Sequence, residues 1–301
     1  MKEIEKIKMS DGKSIPVLGL GTYRLEESWR RLEDIFSDAF ECGLNLIDTA
    51  QGYGNEKLIG RALHDIGARR KDYYIIAKLD DSCHERQKAM DAIEQTMENL
   101  RTDYIDVFLI HSPNSDVIKR RCNELGYDEN KGWSELNAQA FEALEKYKVG
   151  NHIGSIGVSN FEIHHLMALR ELSGQLPCMN QIKTTVGSIS SQEELFDFCK
   201  RQRITVCGYS PLGKGNLLNI DSVRAVASHY KKSCAQVLLR YIYEKGFCQI
   251  VKSTDYGHMS EDTDIFDFEL NDYDRSELDR LMLMHNWARV RDPDTGLKKG
   301  S

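Results

Sequence analysis

The sequence predicts a (β/α)8 barrel of the α/β class. Short apolar runs alternate with helix-like patterns along the chain, eight such strand–helix units follow one another, and a length of 301 residues suits one barrel. The strand candidates are near-continuous apolar runs rather than alternating ones, which indicates a parallel sheet covered by helices on its faces. An open doubly wound sheet is the competing architecture. Only five prolines punctuate the chain and no linker interrupts it, so residues 1–301 read as one domain.

The opening "IEKIKMSDGKSIPVLGLGT" alternates around Asp11-Gly12, a pair that favours a tight turn, and predicts an N-terminal β-hairpin. Strand candidates then follow at Val17–Leu20, Leu44–Asp48, Tyr73–Lys78, Tyr104–His111, His152–Gly157, Met179–Ile182, Thr205–Tyr209 and Gln249–Lys252. Helical patterns separate them, among them Trp29–Cys42, Glu56–Leu63, Glu85–Leu100, Leu136–Tyr147, Gln192–Lys200 and Ala235–Glu244. One connection, Ser112 to Ser134 after the fourth strand, is much longer than the rest. Long connections in compact domains are usually functional lids or disordered segments.

Composition narrows the function. A formal net charge of −7, with Lys and Arg dispersed, lacks the concentrated basic face that a nucleic-acid partner requires. No apolar window is long enough to span a membrane, and the first residues lack the apolar stretch of a signal peptide. Eight scattered cysteines without C-x-x-C spacing read as free thiols in a reducing cytoplasm. No H-E-x-x-H or similar spacing suggests a metal.

In a parallel barrel, chemistry gathers where the strands end. Asp48, Lys78 and His111 close the second, third and fourth strand candidates, and Tyr53 lies in the loop after the second. Each has a bland reading alone: Asp48 as a helix cap, Lys78 as a surface lysine, His111 as a satisfied core histidine. Four titratable groups in register at one mouth favour the functional reading. A tyrosine with an ordinary pKa of about 10 is a poor proton donor near neutrality, and an adjacent ammonium lowers that value. Lys78 would supply the ammonium, Asp48 would hold it, and His111 would position a carbonyl oxygen. The set suits protonation of a forming alkoxide, with the reducing equivalent coming from a cofactor.

Seven blocks carry a family resemblance: "GLGTYRL" from residue 19, "DTAQGYGNE" from 48, "IAKL" from 76, "DYIDVFLIHSP" from 103, "GVSNF" from 157, "NQI" from 180 and "YSPLGKG" from 209. In order and spacing the chain resembles the aldo-keto reductase superfamily. That resemblance implies a barrel binding NADPH across its C-terminal mouth, with Asp48, Tyr53, Lys78 and His111 matching the catalytic tetrad. Ser159, Asn160 and Gln181 match the residues that bond the nicotinamide amide, and Tyr209 the ring on which nicotinamide stacks. Gly21 and Thr22 match the block closing the cofactor site, while Ser210, Leu212 and Lys214 fall in the loop over the pyrophosphate. Lys252, Ser253, Thr254, His258 and Glu261 match the adenosine-phosphate block. His258 stands where the family usually has arginine, and Asp262 where it has asparagine, so NADH use is a second expectation beside NADPH.

Tyr23, Tyr53, His111, Ser112 and Trp287 match the substrate end, where Ser112 and Tyr23 replace tryptophans common among relatives. Trp29 and Trp133 are further aromatic candidates there, against a packing role. Lys119, Arg120 and Arg121 in the long connection read either as a solvated face or as attractors of an anionic substrate. The resemblance implies reversible reduction of an aldehyde or ketone, a small-molecule carbonyl substrate, by a monomer. The rival is a cofactor-binding regulatory barrel with little turnover, and a metal-dependent barrel hydrolase is more remote.

Overall fold

The computed structural model describes residues 4–26, 30–113 and 132–284. The hairpin forms as expected: β1 (Lys6–Lys8) and β2 (Ser14–Pro16) pair antiparallel with Ile7 opposite Ile15, and Gly12 takes a left-handed φ of +88° in the turn.

Eight parallel strands follow: β3 (Leu18–Gly21), β4 (Leu46–Asp48), β5 (Tyr74–Leu79), β6 (Ile105–Ile110), β7 (Ile153–Ser159), β8 (Met179–Lys183), β9 (Thr205–Tyr209) and β10 (Cys248–Val251). They pair in chain order, and β10 pairs with both β9 and β3, placing Gln249 beside Gly208 on one side and Leu18 on the other. That closure excludes the open sheet. It also explains the apolar runs, since barrel residues are buried whether they face the interior or the helices. Helices at Leu32–Glu41, Arg86–Leu100, Ile163–Ser173, Glu193–Gln202, Asp221–Tyr230 and Cys234–Glu244 surround the barrel.

Some boundaries differ from expectation for local reasons. The second barrel strand starts at Leu46 rather than Leu44. Gly43 is left-handed (φ +91°) and the Leu44 N–H donates back to the Ala39 carbonyl, so both residues terminate the preceding helix. A helix spans Trp133–Val149, starting ahead of Leu136 and shortening the long connection. Trp133 packs edge-on against the rings of His164 and His165 at 6.0 and 5.1 Å, so it serves packing rather than the mouth of the barrel. Residues 114–131, including Lys119, Arg120 and Arg121, and both Trp29 and Trp287 lie outside the described residues.

The helix Glu56–Asp65 positions the loop after β4. Gly60 lies so close to the end of Arg86–Leu100 that a Cβ would sit 2.2 Å from the Asn99 carbonyl oxygen. At that spacing the buried Glu56 accepts bonds from Thr96 Oγ1 (3.1 Å) and Asn99 Nδ2 (3.3 Å). Among the described residues, no helix is long and apolar enough to cross a membrane.

Candidate active site

Asp48 is the last residue of β4, and its carbonyl accepts bonds from both the Thr22 N–H (3.0 Å) and the Thr22 hydroxyl (2.9 Å). The chain then makes one short helical turn, Gln51–Tyr53, and passes through Gly54 at φ +72°. Asn55 Nδ2 ties the loop down again on the Thr22 carbonyl (2.8 Å) and Glu26 (2.6 Å). These anchors fold Tyr53 back over the strand it follows.

Lys78 is the penultimate residue of β5 and only 1% exposed. Its Nζ donates to Asp48 Oδ1 (2.7 Å), to the Thr49 carbonyl (3.1 Å) and to Tyr53 Oη (3.2 Å), which uses all three ammonium hydrogens. Asp48 Oδ2 accepts from Gln181 Nε2 (2.7 Å), a bond that the sequence reading did not anticipate. His111 follows β6 directly, and its ring lies edge-on to Tyr53 at 5.6 Å, while Tyr23 covers the other side of Tyr53 at 5.1 Å. The four residues expected to act together do converge.

Their electrostatics correct one expectation. Burial raises the Tyr53 pKa and outweighs the lowering by Lys78, so without ligand the phenol is held protonated. Burial works against the Lys78 charge, but Asp48 and then Tyr53 more than offset it and the ammonium is held above its ordinary value. The His111 imidazole is pushed down to about 3, first by burial and then by Lys78, and is therefore neutral.

A cleft of about 820 Å³ opens above these groups. Gly21, Tyr23, Asp48, Tyr53 and His111 line one part of it, with Ser159, Asn160, Gln181 and Tyr209 beside them. Asn160, left-handed at φ +61°, donates to the His111 carbonyl (3.0 Å) and accepts from the Tyr209 hydroxyl (2.9 Å), locking the Tyr209 ring in place. Ser210, Leu212 and Lys214 line the next part on a tightly wound loop in which Ser210 and Lys214 are also left-handed. Lys252, Ser253, His258 and Glu261 line the far part.

Thr22 and Thr254 do not line the cleft. Thr22 is fully buried beneath Asp48, and the Thr254 carbonyl accepts from Arg30 Nη1 (2.9 Å). Ser112 lies beside the mouth, its hydroxyl donated to the Asp81 carboxylate. Arg24, Leu218 and Ala235 also line the cleft; Arg24 lies within "GLGTYRL" without having been assigned a role, whereas Leu218 and Ala235 sit outside the recognisable blocks. Asp262 lines it as well, unpartnered among the described residues, with its pKa raised to about 7 by burial and then by Glu261. The cleft fits an extended phosphate-bearing ligand: Lys214 and Lys252 reach it without a carboxylate partner among the described residues.

Comparison with known proteins agrees with this architecture. A sequence model of the Aldo/keto reductase family matches residues 17–282. The glyoxal reductase of Bacillus subtilis is 32% identical over 277 residues, covering 92% of each chain. The crystal structure of an aldo/keto reductase from Brucella melitensis shares 32% identity with a TM-score of 0.79, over 92% of this chain and 99% of that one. The Bombyx mori aldo-keto reductase solved in complex with NADP shares 27% identity with a TM-score of 0.81, over 97% of both chains. The closed barrel, the converging groups at its mouth and these matches together place the chain in the aldo/keto reductase family.

Proposed function

We propose that the protein reduces an aldehyde or ketone to the alcohol, reversibly, using NADPH in preference to NADH. The observation that carries this is the buried chain from Gln181 through Asp48 and Lys78 to the Tyr53 hydroxyl, at the mouth of a cleft lined by two lysines, Lys214 and Lys252, that have no ion-pair partner among the described residues. A reduced nicotinamide, when bound, supplies the hydride that no side chain can give. Ser159, Asn160, Gln181 and Tyr209 would hold its ring, and Lys214 and Lys252 its phosphates.

The protein's own work is proton transfer and positioning. The neutral imidazole of His111 donates a hydrogen bond to the carbonyl oxygen and fixes it beside Tyr53. As negative charge grows on that oxygen, the Tyr53 hydroxyl delivers its proton there. Lys78 stabilises the phenolate left behind, and Asp48, itself held by Gln181, keeps Lys78 charged and oriented. In the oxidative direction the same groups accept the proton. Lys252 supports NADPH, while the His258 side chain, 75% exposed and 3.9 Å from Asp255, cannot fork onto a phosphate as an arginine would. NADH is therefore a second cofactor. Similarity to a glyoxal reductase supports small aldehydes as substrates.

The test is loss of reduced-nicotinamide absorbance with a panel of aldehydes and ketones, NADPH and NADH in parallel, beside Tyr53→Phe. The variant should bind cofactor as the parent does and lose about 10²–10⁴-fold in kcat. Undiminished turnover in the variant would overturn the role of Tyr53. Cofactor binding without turnover on any carbonyl would favour a regulatory barrel.

A further inference from the structure

Asp262 closes the helix Tyr256–Asp262, is 4% exposed, and lines the far part of the cleft beside Ser253, His258 and Glu261. Its carboxyl has no hydrogen bond or ion pair among the described residues. The surrounding charges supply no cation to hold it ionised. Glu261, next to it on the same helix, adds a like charge. The His258 side chain is mostly exposed and lies 3.9 Å from Asp255. On the helix Leu32–Glu41, which packs against this one, Glu41 accepts from the Tyr256 hydroxyl (3.2 Å). The helix Cys234–Glu244 also packs against it and brings the uncharged Ala235 to the cleft. Lys252, after β10, donates to the Arg24 carbonyl (3.4 Å). A carboxyl buried in such surroundings is held in its neutral form.

A neutral carboxyl sets one O–H donor beside one carbonyl acceptor, the pattern of a primary amide, whereas a carboxylate offers acceptors alone. With a nicotinamide beside Tyr53 and phosphates at Lys214 and Lys252, the adenosine end of a dinucleotide is left for the far part of the cleft. Adenine presents an amino N–H donor next to a ring-nitrogen acceptor, an edge that a primary amide reads with two bonds. Protonated Asp262 can make both bonds. Ionised Asp262 can make one, and it turns a lone pair against the ring nitrogen.

We propose that Asp262 reads the cofactor's adenine as a neutral carboxyl, so that dinucleotide binding takes up a proton at this residue and weakens as pH rises. This coupling rests on the reductase reading above for the presence of the cofactor. Free protein gives up the proton as pH passes about 7. In the complex the two bonds to adenine retain it to higher pH. Affinity is therefore full below that value and falls by up to about tenfold per pH unit above it.

Calorimetry of NADH binding to the full-length protein tests this, because NADH lacks the 2′-phosphate, a group that itself titrates at about pH 6. Its Kd should rise about tenfold or more between pH 6.5 and pH 8.5. At pH 8, buffers of different ionisation enthalpy should reveal uptake of close to one proton. ADP-ribose, which lacks the nicotinamide, should take up the same proton. Asp262→Asn keeps the donor and acceptor, so it should bind NADH with the parent's low-pH affinity at every pH and take up no proton. His258→Gln should retain the uptake. Absence of uptake in the parent, or uptake that survives Asp262→Asn, overturns the proposal. So does uptake that disappears in His258→Gln, or that occurs with NADH and not with ADP-ribose. Proton-linked binding without turnover on any carbonyl would sink the reductase reading and leave the Asp262 assignment standing. Turnover with pH-independent cofactor binding would do the reverse, and failure of both nucleotides to bind would sink both.

Discussion

Replacing Asp262 by asparagine should make the cofactor-free protein more stable, and increasingly so as pH rises. Asp262 ends the helix Tyr256–Asp262, is 4% exposed, and has no bonding partner among the described residues. Burial and the neighbouring Glu261 lift its pKa to about 7, against about 3.9 in an unfolded chain. The folded state thus holds this proton more tightly than the unfolded state. Its stabilising effect is full below about pH 4 and is lost as pH rises through the folded pKa. At about 1.36 kcal/mol per pKa unit, the loss is about 1.5 kcal/mol at pH 5 and about 4 kcal/mol at pH 8. Asparagine keeps the shape and has nothing to ionise. With an unfolding entropy of about 2.1 cal/mol/K per residue, 1 kcal/mol corresponds to about 1.6 °C in Tm for a chain of this length. The advantage of Asp262→Asn should therefore widen by about 4 °C between pH 5 and pH 8 in thermal melts at fixed ionic strength. A difference in Tm that stays constant across that range would refute the reasoning, because it would mean that the carboxyl titrates alike in both states.

Two further outcomes follow from geometry already described. With its pKa near 3, His111 should stay neutral from pH 5 to pH 8, so kcat/KM should show no inflection near 6.5 that belongs to it; an inflection there that vanishes in His111→Gln would contradict this. Gly60→Ala drives a methyl into the Asn99 carbonyl, and because that obstacle is backbone the two helices must part. Melts should show a loss at or above the usual overpacking range of about 1–3 kcal/mol. Turnover should fall with it, since the displaced helix carries Glu56 and follows the Tyr53 loop.

How far the sequence could be read depended on whether a signal was local. The barrel was legible because each strand is a run of apolar residues, and Asp48, Tyr53, Lys78 and His111 because polar groups ending such runs stand out. Strand starts were less legible: Leu44 looks like strand, and only the fold shows it spent on ending a helix. The sign of the Tyr53 shift depends on how deeply three elements bury the phenol, which no run of residues records. Nor could Gln181 be seen reaching Asp48, because the two are joined only when β8 and β4 face one another across the barrel.

The saturation of Lys78 has a chemical consequence. Aldehydes condense with free amines to give imines, so an enzyme that concentrates aldehydes next to a lysine endangers its own machinery. Lys78 is buried, held in its protonated form, and has every N–H engaged by Asp48, Thr49 or Tyr53. The nitrogen has no lone pair to offer. The same bonds that orient the ammonium would also protect it from the aldehydes proposed as substrates.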